Sequence, residues 1–241
     1  MRYLVFGATG NIGSRVAQRL IETGSRPSVF VRDSMRARAL FGDQVDIHTG
    51  DIETPSSSLA AALDGVNGIF LLTDGPNLSE QDRAISAAAF RAGVQHIVKL
   101  STLDVLTGIG TGSWHAAGEV AVRESGVPFT FIQAAGFMSN ALSWSYPIRS
   151  EGILRSSAGE GKIAFIHPDD MAAVAATALI TRKHDGKALV ITGPEALSYR
   201  EMAATIAQTI GKPIDFEEIS DHEAFADAVG WAGKDPTSMP S

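Results

Sequence analysis

With 241 residues the chain can bury a large core, and 44% hydrophobic with 20% charged residues is an ordinary globular balance that argues against long disordered tracts. A net charge of -7 without any Lys/Arg block argues against nucleic acid as a partner, and the absence of cysteine excludes disulfides, thiolate nucleophiles, iron–sulfur clusters and cysteine zinc sites. The longest strongly apolar stretch, 171–180, is far shorter than the roughly 18 residues of a membrane span, and the amino terminus opens directly on a strand-like run, so a cytoplasmic protein with no membrane partner is expected.

The first strand is expected at 3–6. It runs into Gly7-Ala8-Thr9-Gly10-Asn11-Ile12-Gly13, which opens an amphipathic helix over 11–23. A pyrophosphate must approach backbone N–H groups at a helix amino terminus. Glycines permit the tight turn, the close approach and the helix–strand contact, so Gly7, Thr9, Gly10, Asn11, Ile12 and Gly13 are expected to hold a dinucleotide. The spacing is Gly-x-x-Gly-x-x-Gly, and its place between strand and helix makes it informative.

A second strand at 28–32 ends in Val31-Arg32-Asp33, about 20 residues beyond the loop, where the adenosine ribose is read. A carboxylate from Asp33 would accept from a ribose 2′-OH, whereas Arg32 would pair with a 2′-phosphate through its planar fork. Arg32 comes first, with Arg36 a turn further, which favours NADP(H). The alternative, two arginines that merely solvate a helix face, stays open at this point. A helix over 34–41 leads to a third strand at 45–48, after which Asp51 either meets the adenine amino group or caps a turn. Following a helix at 57–63, a fourth strand at 68–72 brings Leu72 and Thr73 to the strand edge that faces ligands in open α/β sheets.

Helices at 79–92 and 113–125 flank strands at 96–100 and 129–133. Glycines at 24, 42, 65, 93 and 126 punctuate the helix ends. The alternation predicts an α/β fold, a Rossmann-like doubly wound parallel sheet over 1–136. A small carboxyl-terminal α+β lobe over 137–241 is expected, partly returning to the main sheet. Its helices are expected at 169–181 and 198–210 and its strands at 188–192 and 214–218, with a loosely held tail over 230–241. Six histidines occur, none at i, i+4 from another, so no metal is expected.

Taken in order, the chain resembles the NmrA-like branch of the atypical short-chain dehydrogenase/reductases, including NADPH-dependent quinone reductases. The residues that carry the resemblance are the 7–13 loop, Val-Arg-Asp at 31–33, Gly-Asp at 50–51, His-Ile-Val-Lys-Leu-Ser at 96–101 and His115-Ala-Ala-Gly-Glu119. They continue with the 125–132 segment, Gly-Phe-Met-Ser-Asn at 136–140, His-Pro-Asp-Asp-Met-Ala at 167–172 and the 192–198 segment. The resemblance implies NADP(H) held by the loop and Arg32, with the nicotinamide near Ser101, His115 and 133–140. It also implies a departure, since Thr111 and His115 stand where catalytic members of the wider superfamily carry a tyrosine and a lysine. Little chain follows Val229 for this family, which leaves the substrate lobe and any homo-oligomeric contacts open.

Without that pair, a ketone would be left as a basic alkoxide with no evident proton donor, whereas a quinone yields a weakly basic hydroquinone anion. The expected activity is therefore hydride transfer from NAD(P)H to a quinone or similar electron-poor acceptor. His115, with its pKa lowered by a helix dipole, is the candidate donor or a contact to the nicotinamide ribose, against a helix-start histidine that faces solvent, and Ser101 either orients a substrate carbonyl or serves as a cap. Phe137, Met138, Trp114 and Trp144 could wall a flat ring, and Asn140 could fix the loop around it. A non-catalytic NADP(H)-binding redox sensor is the alternative, and an isomerase or reductase of other small substrates is a third reading.

Overall fold

The computed structural model describes residues 1–53 and 57–232. In chain order its elements are β1 (Tyr3–Phe6), α1 (Asn11–Glu22), β2 (Ser28–Val31), α2 (Ser34–Phe41), β3 (Asp46–Thr49), α3 (Ser57–Leu63), β4 (Gly68–Leu71), α4 (Leu78–Arg91), β5 (His96–Thr102), α5 (Gly112–Glu124) and β6 (Phe129–Ala134). There follow α6 (Ser145–Glu151), β7 (Ile153–Ser156), β8 (Lys162–Ile163), α7 (Pro168–Thr181), β9 (Lys187–Ile191), β10 (Leu197–Ser198), α8 (Tyr199–Ile210), β11 (Asp215–Glu218) and α9 (Asp221–Ala232). The tail expected to be loosely held lies from residue 233 onward outside the described residues.

The chain divides into two units, Met1–Met138 with Ile166–Gly193, and Ser139–Phe165 with Pro194–Ser241. In the first, seven strands form one sheet in the order β3-β2-β1-β4-β5-β6-β9, every neighbouring pair parallel. Strand order reverses between β1 and β4, the topological switch point at which such sheets bind ligands. The expected Rossmann-like, doubly wound parallel sheet is the fold observed.

Alternation along the strands sends side chains to two cores. Tyr3 and Val5 of β1 join Val29, Phe70 and Ile132 under α1 and α7, while Leu4 and Phe6 join Ile69, Ile97 and Phe131 under α3, α4 and α5. All four residues of β1, β2 and β4 are buried. That is why these strands read as continuous apolar runs.

The lobe expected over 137–241 is interrupted. Residues 166–193 belong to the first unit, because Met171, Ala172, Ala175 and Leu179 of α7 are buried in the sheet's core and β9 pairs with β6. Gly136 O accepts from Ile166 N and Ile166 O from Met138 N, both at 2.9 Å, which closes the excursion. The 171–180 stretch is thus an interior helix.

Within the second unit, β7 pairs in parallel with β11 and β8 antiparallel with β10. Trp144 packs against Phe165 and Tyr199 at ring-centroid distances of 6.1 and 5.4 Å. Ser198 caps α8 in a reciprocal capping box with Glu201. No helix among the described residues is long and apolar enough to cross a membrane, and none of their side chains cluster as a metal site.

Candidate active site

The glycine loop folds as its composition requires. Gly7 has φ +67°, a left-handed conformation that a side chain would strain, and Gly10 N donates to Gly7 O at 2.9 Å to close the turn. Gly13 is set by contact, since a Cβ there would stand 2.2 Å from Gly7 O. α1 then begins at Gly10 with no side-chain cap and no acidic residue in its first turn. The helix amino terminus, with its unsatisfied N–H groups and partial positive charge, is left open to an anion.

Beside this loop lies a cleft of about 260 Å3, lined by Gly7 and Thr9 after β1, Arg32 after β2, Asp51 after β3 and Leu72 and Thr73 after β4. Six of the ten expected cofactor residues therefore line one cavity at the carboxyl ends of four adjacent strands. Gly10, Asn11, Ile12 and Gly13 do not line it. Ile12 and Gly13 are buried in the helix–strand contact, and Asn11 Oδ1 accepts from Arg15 at 2.6 Å. Arg15 also pairs with Asp169 at 2.6 Å.

The two readings of Val31-Arg32-Asp33 separate here. Asp33 Oδ1 accepts from Arg36 N at 3.0 Å and caps α2, and Asp33 does not line the cleft. Arg32 is exposed at the cleft wall and has no carboxylate partner among the described residues. Its guanidinium remains available for a 2′-phosphate. Asp51 lines the wall, but its Oδ1 also accepts from Glu53 N at 3.1 Å in a local turn. Gly50 is forced by Phe30, whose ring would lie 2.5 Å from an added Cβ.

Sequence reasoning missed Phe30, Glu53, Asp74 and Gln81 in this lining. Gln81 Nε2 donates to Glu53 Oε1 at 3.3 Å, joining α4 to the segment after β3. Nothing in the local sequence announces that pairing.

Beneath the cleft is a chain of buried polar groups. Thr73 Oγ1 donates to Asp82 Oδ1 at 2.7 Å, and Asp82 Oδ2 pairs with Lys99 Nζ at 2.7 Å, both side chains fully buried. A charged residue inside the apolar run His-Ile-Val-Lys-Leu was the visible signal for this pair. Alongside it, Ser101 Oγ donates to Glu119 Oε1 at 2.6 Å, and Gln133 Nε2 donates to the same carboxylate at 3.0 Å. Ser101, expected to orient a substrate carbonyl, lies within this buried network. Ser101 is buried, and its single O–H is spent on Glu119.

His115 is half-buried near the start of α5, with Nδ1 buried and lacking a hydrogen-bond partner. Its pKa is pushed down to about 4, first by burial and then by the Lys99 charge, against the carboxylates of Asp82, Asp74 and Asp104. The ring is therefore neutral at pH 7, as expected, although burial and a lysine supply the cause that was assigned to the helix dipole. His115 does not line the cleft.

Phe137 is half-buried against the sheet core and bridges to Ile166, so it is anchored as structure. Asn140 and Trp144 lie in the second unit, and Asn140 O accepts from Ser143 Oγ at 2.7 Å. Trp114 is exposed. α7 is capped by His167, whose Nδ1 accepts from Asp169 N at 3.2 Å.

Comparison with known proteins adds to this geometry. The model of the NmrA-like family matches residues 2–236. The chain is 38% identical over 224 residues to the (4-alkanoyl-5-oxo-2,5-dihydrofuran-3-yl)methyl phosphate reductase of Streptomyces griseus, over 90% of this chain and 76% of that one. It is 37% identical over 230 residues to an NAD(P)H azoreductase of Xenophilus azovorans, over 92% and 78% of the two chains. An NADPH-dependent quinone oxidoreductase of Escherichia coli, crystallised with NADPH, superposes with a TM-score of 0.88 at 28% identity, over 98% of this chain and 84% of that one. With its glycine loop, its parallel sheet and reductases among its relatives, the chain belongs to the NmrA-like family.

Proposed function

We propose that this chain is an NADPH-dependent reductase that passes hydride to a quinone or a similar electron-poor acceptor. The observation that carries the reading is the unpaired Arg32 on the wall of the glycine-loop cleft, beside an Asp33 already used as a helix cap. The uncapped α1 terminus suits the pyrophosphate, and Arg32 suits the 2′-phosphate through a charge-assisted fork. The relatives support a redox cofactor, since one is an azoreductase named for NAD(P)H and another was crystallised with NADPH.

When bound, the dihydronicotinamide supplies the hydride. What this chain's residues supply is positioning and hydrogen bonding, with little acid strength. None of the three tyrosines is among the residues that line the cleft. Tyr3 is buried in the sheet's core, and Tyr146 and Tyr199 belong to the second unit. Thr111 is exposed ahead of α5, and a neutral His115 donates a hydrogen bond far more readily than a proton. An acceptor whose reduced form is weakly basic needs no stronger acid, because water completes the protonation. His115 serves in this reading as the donor to the acceptor's developing oxyanion.

The test is the loss of NADPH absorbance on mixing the protein with a panel of quinones, with NADH in parallel. Saturable oxidation with NADPH preferred is expected. Failure to oxidise any member, with NADPH binding shown in the same sample, would replace this reading with that of a redox sensor.

A further inference from the structure

Neither Lys99 nor Asp82 lines the cleft, yet among the described residues they are the most enclosed charged side chains. Both side chains have no exposed surface, at 2.7 Å from each other. Burying two charges is costly unless the geometry is tight, and replacement by apolar residues is often neutral for stability. A pair retained in this way invites a functional account. Thr73, from the cleft lining, donates to Asp82 at one end of the chain. At the other end stands α5. A Cβ at Gly118 would lie 2.2 Å from Asp82 Oδ2 and 3.2 Å from Lys99 Cε, so α5 can approach the pair only because residue 118 has no side chain. His115 lies three residues before Gly118, hence on the same helix face. Lys99 Nζ is buried against Asp82 Oδ2, and His115 Nδ1 is buried without a hydrogen-bond partner among the described residues.

We propose that Lys99 and Asp82 are positioning residues that act on His115, fixing its ring with the lone pair on Nδ1 and the hydrogen on Nε2, ready to donate to the acceptor. With Nδ1 buried and unpartnered, a cation packed against α5 at Gly118, one turn from His115, opposes a second ring proton. The other charged groups that bear on the ring are Asp74, beyond β4, and Asp104, beyond β5, and both carboxylates favour protonation. Glu119, one turn further along α5, is engaged by Ser101 and Gln133. Among the described residues that bear on this histidine, Lys99 is the cation set against the carboxylates of Asp82, Asp74 and Asp104. The role assigned to the pair rests on His115 being the donor.

The experiment is an NMR titration of the 15N-labelled histidine rings in the full chain with NADP+ present, comparing the intact protein with Lys99→Met and Asp82→Asn. In the intact chain His115 should show the Nε2–H tautomer and stay neutral down to about pH 4. Lys99→Met should raise its titration midpoint toward the ordinary value. Asp82→Asn, which leaves the ammonium unopposed, should not raise it. An unmoved midpoint in Lys99→Met, or a rise in both variants, would overturn the proposal. Should Lys99→Met fail to fold, a rise in Asp82→Asn alone is enough to overturn it. The reading of His115 itself is tested separately, since normal turnover in His115→Ala removes its catalytic role whatever the titrations show.

Discussion

Replacing Gly13 by alanine perturbs the nucleotide cradle by one methyl group, and the structure fixes where that methyl must go. It would stand 2.2 Å from Gly7 O, 2.5 Å from Gly7 C and 3.0 Å from Ala8 N. All three are backbone atoms, so no side-chain rotation relieves the contact, and α1 must retreat from the loop by about 1 Å to restore ordinary contact. Overpacking of this kind costs about 1–3 kcal/mol, which for a chain of this length lowers Tm by roughly 2–12 °C. The same retreat misaligns the N–H groups offered to the pyrophosphate. Losing one charge-assisted hydrogen bond, about 1.5–3 kcal/mol, weakens binding some ten- to hundredfold. NADPH and NADH should suffer alike, because the pyrophosphate is common to both. Calorimetric titration with each nucleotide, alongside a thermal melt, reads both quantities. Gly10→Ala is the control for the fold, since its nearest neighbour would be Gly7 O at 3.3 Å and its φ of -92° suits any residue. A Gly13→Ala protein with unchanged Tm and affinities within twofold of the parent would refute the account of the loop.

In the second unit, Ser198→Ala removes the hydroxyl that accepts from Glu201 N at 3.2 Å, and a loss of about 1 kcal/mol is expected in denaturant unfolding. The partner carboxyl of Glu201 is held down from 4.5 to about 2, first by the hydrogen bond from Lys162 and then by Ser198 N–H. A folded value below the unfolded one means that stabilisation is present above pH 4.5 and is lost as acid takes the pH toward 2. Glu201→Gln should flatten that acid limb, and an unchanged acid profile would contradict the assignment.

Much of the first unit was legible because its physics is local. Parallel strands buried on both faces read as apolar runs, and the helices between them stop at Gly24, Gly42, Gly65, Gly93 and Gly126, every one at positive φ. The glycine loop, Arg32 and Thr73 followed from their places after particular strands. What failed to show depends on contacts distant in sequence. The apolar face of α7 was visible at 171–180, but nothing nearby says that it covers the core beside α1. Ile153 of β7 finds Asp215 of β11 across 62 residues, and short strands without alternation announce no partner. The surroundings of Ser101 were hidden for the same reason. Its strand position suggested an open end, whereas Glu119 reaches it from α5. His115 was read as neutral by a local cause, a helix dipole, when burial and Lys99 from the neighbouring strand do more.

The central claim is that the cleft takes NADP(H) and that Arg32 recognises its 2′-phosphate. Dissociation constants for NADPH and NADH, measured in the intact protein and in Arg32→Ala, test it most directly. A charge-assisted contact at an exposed position is worth about 1.5–2 kcal/mol, the lower end of the range for charged groups, so NADPH affinity should fall more than tenfold. NADH, which lacks that phosphate, should bind nearly as before. Equal losses for the two nucleotides, or none for either, would contradict the assignment.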